Sequence, residues 1–291
     1  MAPDEREDGG RPAFDERYPV TRCPLPGGAV MRLATDRADR MIGAAIRGSG
    51  IWQPEESRLV AALLGPGDCA VDAGAHVGYF TVLMSRMVGR RGKVWAFEPE
   101  PDNFALLQAN VRRNRCGNVT LARVALGGQT GSATLFLARG NLGDHRLHRV
   151  DGRAAIAVSV RRLDDGLDGG RIDFMKIDTQ GSEAGILSGA AGTIAASQDR
   201  LLCLMEFSPQ LSDAAGWDRR AFFELLAHLG AVVMTATLPP RPVPRVVVER
   251  LWDQLHAASE DDAHAMLLLA FSEAAARRAA AIGSPPRRTS A

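Results

Sequence analysis

The sequence predicts an α/β fold: a mostly parallel, Rossmann-like sheet of about seven strands with helices on both faces. Two observations carry this expectation. Short apolar runs alternate with amphipathic helical stretches over residues 54–271. Strands joined by helices in this way run parallel. The first strand then ends in VDAGAHVG, a carboxylate and two glycines where such sheets hold ligands.

The elements follow in order. Pro54-Glu55-Glu56 opens a helix with Leu59, Val60, Leu63 and Leu64 on one side, proline and acids being normal at a helix start. Gly65-Pro66-Gly67 ends it. CAVDAG (69–74) reads as a strand, residues 78–88 as a helix and KVWAFE (93–98) as a second strand. Asp102 to Asn114 is a helix with Phe104, Leu107 and Val111 on one face. VTLARVAL (119–126) is a third strand. GSATLFLA (131–138) and IAVSVRRL (156–163) then read as an inserted hairpin around a polar loop. IDFMKID (172–178) resumes the strands, with a helix over Ser182–Ala196 and a strand at LLCLMEF (201–207). A helix over Arg219–Leu229, the strand AVVMTAT (231–237), a helix over 245–257 and the strand AMLLLAF (265–271) complete the sheet. Four segments are expected: an acidic disordered stretch (1–20), a helical N-terminal extension (21–65), the main domain (66–271) and a helical to disordered tail (272–291).

Composition narrows the partners. Lys plus Arg total 35 and Asp plus Glu 34, a net charge of +1. Neither a nucleic-acid binder nor a polybasic membrane surface is expected from that balance. The four cysteines form no C-x-x-C pair, the N-terminus lacks a signal-peptide pattern, and apolar runs are too short for a membrane span. A soluble protein of the reducing cytoplasm is expected. Only two basic residues are lysines, Lys93 and Lys176. The oligomeric state is not encoded, and a homodimer is left open.

Asp72, Gly74 and Gly78 form D-x-G-x-x-x-G at the end of the first strand. Glycines in a strand-to-helix turn let a ligand approach the backbone. Glu98 ends the second strand, where a carboxylate can accept from both hydroxyls of a ribose. A dinucleotide would need G-x-G-x-x-G and would meet repulsion from Asp72. S-adenosylmethionine (SAM) carries no phosphate and has a cationic amino group and sulfonium, so it is preferred to NAD. Ala75 and His76 in the turn, Pro99 and Asn103 beyond Glu98, and Ala125 complete the expected cofactor set, with Asp178.

DAGAHVGYFT, FEPEPDNFALLQANVRRN, VALGGQTGSATL and KIDTQGSEAGILSGA, in this order, resemble the FkbM family of SAM-dependent methyltransferases. The resemblance runs from about Trp52 to Phe271. It implies a class I methyltransferase fold, a three-layer sandwich whose seven-stranded sheet has one antiparallel strand. It also implies methylation of hydroxyl groups on natural products or sugars. The family's K-I-D-V-E-G-x-E is here KIDTQGSE: Thr179 and Gln180 depart, while Asp178, Gly181 and Glu183 are kept.

Methylating an alcohol requires alignment and removal of its proton. Asp178 and Glu206 end neighbouring strands, and Glu183 follows one turn later. This cluster could orient a substrate or ligate Mg²⁺; the metal-free reading is preferred and no metal ligand is assigned. In the loop RGNLGDHRLH (139–148), His145 is the candidate base and Asp144 the carboxylate that fixes its tautomer, with His148 as a weaker candidate. Trp52 and Trp252 are left unassigned. The leading reading is an O-methyltransferase acting on a hydroxylated small molecule. An amine or carboxylate acceptor, and a non-catalytic SAM-binding protein, are the alternatives.

Overall fold

The structure is a computed structural model that describes residues 17–26, 28–167, 170–259 and 263–282. Most of the acidic N-terminal stretch and the C-terminal end lie outside the described residues. The chain enters through an antiparallel hairpin, β1 (Val20–Pro24) and β2 (Val30–Ala34). The sequence predicts only helix across 21–65, so this is a correction. The missed signal is strand alternation: Cys23, Met31 and Leu33 point inward while Arg22 and Arg32 stay exposed. Helices α1 (Ile42–Ser49) and α2 (Pro54–Leu63) follow.

The main domain runs β3 (Cys69–Ala73), α3 (Tyr79–Val88), β4 (Lys93–Phe97), α4 (Pro101–Arg113) and β5 (Val119–Ala122). A small sheet of β6 (Ala125–Leu126), β7 (Gly131–Leu137) and β8 (Ala154–Arg161) interrupts it. Then come β9 (Phe174–Ile177), α5 (Glu183–Gly189), α6 (Ala191–Ser197), β10 (Leu202–Phe207), α7 (Pro209–Ala214) and α8 (Arg219–His228). β11 (Val232–Thr235), α9 (Arg245–His256), β12 (Ala265–Ala270) and α10 (Glu273–Ala281) finish the described chain.

The central sheet has seven strands in the order β11-β12-β10-β9-β3-β4-β5, and β12 alone runs antiparallel to its neighbours. This is the class I methyltransferase arrangement. Both faces are covered. Phe174, Leu202, Leu204 and Leu268 join one core with α2, α3, α4 and α10. Their neighbours in sequence, Met175, Cys203, Met205 and Leu269, join the other with α5, α8 and α9. Strands buried on both sides read as continuous apolar runs, which is why they are visible in the sequence.

Two segments divide where the sequence suggests one element. Residues 119–126 split after Ala122: β5 pairs with β4 in the main sheet, and β6 pairs with β8 in the small one. The predicted helix over 182–196 breaks at Ala190, and Asp164 caps the second half by accepting from the Gly192 and Thr193 N–H groups. Among the described residues no helix is long and apolar enough to cross a membrane.

Asn110 and Asn114, one turn apart on α4, dock the hairpin. Asn110 accepts from the Ala34 N–H at 2.7 Å and donates to the Ala34 carbonyl at 2.9 Å and the Val77 carbonyl at 2.8 Å. Asn114 accepts from Arg32 N–H and donates to its carbonyl. The amides therefore act as a short extra strand for β2. Asn110→Ala leaves three buried backbone groups without partners. It should lower stability by about 2–3 kcal/mol, measured by urea denaturation.

Candidate active site

Two adjoining cavities open at the carboxyl ends of β3, β4 and β9. The first, of about 530 Å³, is lined by residues including Gly74, His76, Glu98, Pro99, Asn103, Ala125, His145 and Asp178. The second, of about 410 Å³, adds Asp72, Ala75 and Lys176 to walls from Ile42 and Trp52. They share Gly74, His76, Gly143 and Asp178.

The turn after β3 explains both glycines. Gly74 has φ +81°, and a Cβ there would collide with the Asp178 carbonyl oxygen. Gly78 has φ +89°, and its Cβ would lie 2.6 Å from Leu107 Cδ1. Gly74 lines both cavities, as expected of a residue that lets a ligand approach, while Gly78 lines neither and instead makes room for α4. His76 between them adopts φ +50°, a backbone region rarely used by residues with a side chain.

Glu98 holds the other side of the first cavity. Its oxygens accept from the His76 N–H at 2.8 Å and the Glu100 N–H at 2.9 Å. Each oxygen keeps a lone pair. Burial pushes its pKa up to about 7, against those two hydrogen bonds. Asn103 spends its side-chain amide on the Leu142 carbonyl at 3.1 Å, which pins the loop over the cavity.

A charge network lies beneath. Lys176 Nζ is 2.7 Å from Asp178 and 4.4 Å over the Phe80 ring. Asp72 sits opposite Lys176 in the sheet register and accepts from the Thr81 hydroxyl. Burial pushes Asp72 up to about 6, opposed by Lys176. Burial works against the Lys176 charge, but Asp178 and Asp72 outweigh it and raise its pKa. Asp178 is held below its ordinary value: burial opposes ionisation and Lys176 more than offsets it, helped by Gln180 and the field of His264. Gln180 donates to Glu206 at 2.7 Å and lies 3.3 Å from Asp178. Glu206 is raised well above its ordinary value by burial and by the Asp178 and Glu183 charges. Ionisation of Glu206 is therefore disfavoured beside the Asp178 charge. Glu183 accepts from Thr179 and Gly181 N–H groups and caps the turn after β9.

The loop 139–148 departs from expectation. Asp144 is claimed by Arg146 at 2.6 Å and Arg153 at 2.5 Å. The His145 Nδ1 instead accepts from the Ala138 N–H at 3.0 Å. That bond places the ring proton on Nε2, making His145 a donor rather than a base. Burial holds its pKa down, to about 4. His148 lies outside both cavities, in a neighbouring groove. Trp252 packs in the core against Phe207 and Phe222. Among the described residues no three His, Cys, Asp or Glu side chains converge as a metal-ligand set.

Asp39 escaped the sequence reading. It is buried, accepts from the Met41 and Gly43 N–H groups, and lies 3.8 Å from His76 Nε2. Its one signal was a carboxylate just ahead of a helix start.

The family described as methyltransferase FkbM domain matches residues 72–232, more than half of the chain. The chain belongs to the FkbM methyltransferase family. Its shared segment begins at Asp72 and includes Glu98, Asp178 and Glu206. This FkbM member is 29% identical over 142 residues to "Methyltransferase 1" of Beauveria bassiana, covering 41% of this chain and 57% of that protein. It is 37% identical over 70 residues to a cobalt-precorrin-6B C(15)-methyltransferase of Sulfurisphaera tokodaii, covering 23% and 36%. The chain spans about half the length, or less, of these curated relatives. Similar solved structures include a SAM-dependent O-methyltransferase from Thermotoga maritima, at 12% identity and TM-score 0.42, covering 86% of this chain and 91% of that one. A SAM-dependent methyltransferase from Aquifex aeolicus has 12% identity and TM-score 0.40, covering 62% and 82%.

Two measurements check the site of this FkbM member. Lys176→Arg must fit a wider planar group into a buried slot. It should cost about 2 kcal/mol in a denaturation series, while Lys93→Arg on the exposed strand start stays within about 0.5 kcal/mol. Glu98 binds its proton more tightly in the folded chain, near 7 against 4.5. Its contribution to stability is therefore complete below pH 4.5 and lost as pH rises through 7. From acid to pH 8 the balance should move by about 3 kcal/mol in favour of Glu98→Gln over the wild type. An unchanged difference would contradict the raised pKa.

Proposed function

We propose that this family member is a SAM-dependent O-methyltransferase whose acceptor is a hydroxyl of a small-molecule natural product or saccharide. The observation that carries this reading is Glu98. Its carboxylate is fixed by two backbone N–H groups, buried, and set in the wall of a cavity beside the glycine turn.

The residues present fit SAM. The first cavity is bounded by the Glu98 and Asp178 carboxylates, and the second adds Asp72. Lys176, the cation on their walls, is already paired with Asp178. A pyrophosphate would be repelled there, whereas a cationic, phosphate-free nucleoside is attracted. Glu98 would receive the ribose hydroxyls, Phe97, Pro99, Ala125 and Leu126 would enclose the base, and Asp72 and Asp178 would balance the positive end. When bound, SAM supplies a methyl group already activated by its sulfonium.

The protein's own work is alignment, exclusion of water and handling of the acceptor proton. Asp178, kept ionised by Lys176, orients a donor group. Glu206 accepts from Gln180, which fixes its carboxyl beside Asp178. A groove of about 1110 Å³ joins the first cavity through Leu126, Leu147 and Ser182 and carries Trp217 and His148. An aromatic wall with polar neighbours suits a ring-shaped, hydroxylated acceptor. Four unpaired thiols suit work in a reducing compartment. The near-neutral charge favours a small substrate over nucleic acid.

Calorimetric titration tests the cofactor. The wild type should bind SAM and S-adenosylhomocysteine, and Glu98→Ala should bind both about 100-fold more weakly, the loss of two hydrogen bonds to the ribose hydroxyls. A folded wild-type sample that binds neither overturns the proposal.

A further inference from the structure

The O-methyltransferase reading leaves open which group takes the acceptor's proton. We propose that His76 is that proton acceptor, with Asp39 of the N-terminal extension as its positioning partner. The inference rests on the O-methyltransferase reading and goes beyond it.

The geometry singles out this imidazole. Both His76 ring nitrogens are buried without a hydrogen-bond partner among the described residues. Such a group is costly unless something else satisfies it. The ring lies in the walls of both cavities. Its backbone is held in a strained left-handed conformation by the bond from His76 N–H to Glu98. Strain of this kind collects at functional sites.

The other candidates are each committed elsewhere. His145 presents Nε2–H because its Nδ1 accepts from Ala138. Asp178 is ion-paired with Lys176 and a weak base. Glu206 is engaged as the acceptor of Gln180. Glu98 is reserved for ribose. His76 stays neutral near pH 7, because burial lowers its pKa more than Asp39, Asp178 and the Leu142 carbonyl raise it. His145 also faces it. Asp39, 3.8 Å from Nε2, is held by Met41 and Gly43 N–H groups. The imidazolium formed by proton transfer meets a waiting carboxylate in Asp39.

The step balances. The acceptor hydroxyl oxygen forms the new O–C bond with its lone pair, and its proton passes to the imidazole. The C–S bond breaks, its electron pair staying on sulfur as a neutral thioether. The imidazolium releases the proton to solvent when product leaves.

Labelled-histidine NMR tests this without knowledge of the acceptor. The His76 resonance is assigned by its loss in His76→Asn, a residue that tolerates the same backbone conformation. The wild-type ring should titrate lower in the SAM complex than in the S-adenosylhomocysteine complex, by about one pH unit or more, since only SAM carries the sulfonium charge. Asp39→Asn should move the titration further down in both complexes. Equal titration in the two complexes overturns the assignment and leaves the O-methyltransferase reading standing. Failure of the wild type to bind SAM overturns both.

Discussion

A buried ammonium cannot stand alone, and the centre of this protein is arranged around Lys176. It sits in the middle of the parallel sheet, 2% exposed, between Asp72 on β3 and Asp178 at the end of its own strand. Isolated, such a charge would be neutralised by loss of its proton. Two carboxylates keep it charged, and it in turn keeps Asp178 ionised where burial alone would not. Glu206 then carries the cost: with Asp178 charged beside it, its own ionisation is disfavoured. Gln180, a neutral donor, sits between the Asp178 and Glu206 carboxyls. A glutamate there would add a fourth acid to Asp72, Asp178 and Glu206 around one cation.

That electrostatic centre is useful only because the backbone brings β3 and β9 together at their carboxyl ends. Gly74 has no Cβ because the Asp178 carbonyl occupies its place. The same turn carries His76 into the gap between the two cavities and sets its N–H on Glu98. Sheet, turn and charge network are therefore one mechanical unit. The small sheet and its loop close the top, with Asn103 fastening Leu142.

The fold was largely legible because its strands are buried on both faces. Runs such as LLCLMEF and IDFMKID carry no polar face to confuse with an exposed strand. Asp72, Glu98 and Asp178 were legible for a related reason: each stands at or near a strand's carboxyl end, where this class of sheet gathers ligands. The N-terminal hairpin was harder to read. Five-residue strands with arginines on one side lie below the level at which alternation is distinctive. Asp144 and His145 are adjacent in sequence, but adjacency along a loop does not fix direction. Two arginines, one of them nine residues away, claim the acid, and a backbone amide claims the histidine. Asp39 was invisible because its relation to His76 exists only after the extension folds back on the sheet.

Asn110 makes that folding back a matter of one side chain. Its amide joins the hairpin, α4 and the carbonyl of Val77 in the glycine turn. The segment recognisable as the family begins at residue 72, yet Ile42 and Trp52 wall the second cavity from before it, Asp39 stands 3.8 Å from His76, and β12 completes the sheet from after it. The recognisable unit and the working unit thus have different boundaries. Transplanting this site into another scaffold, or exchanging it between relatives, would have to carry the hairpin along with its asparagine clasp. A graft cut at the family boundary would keep the cofactor turn and lose the wall that faces it.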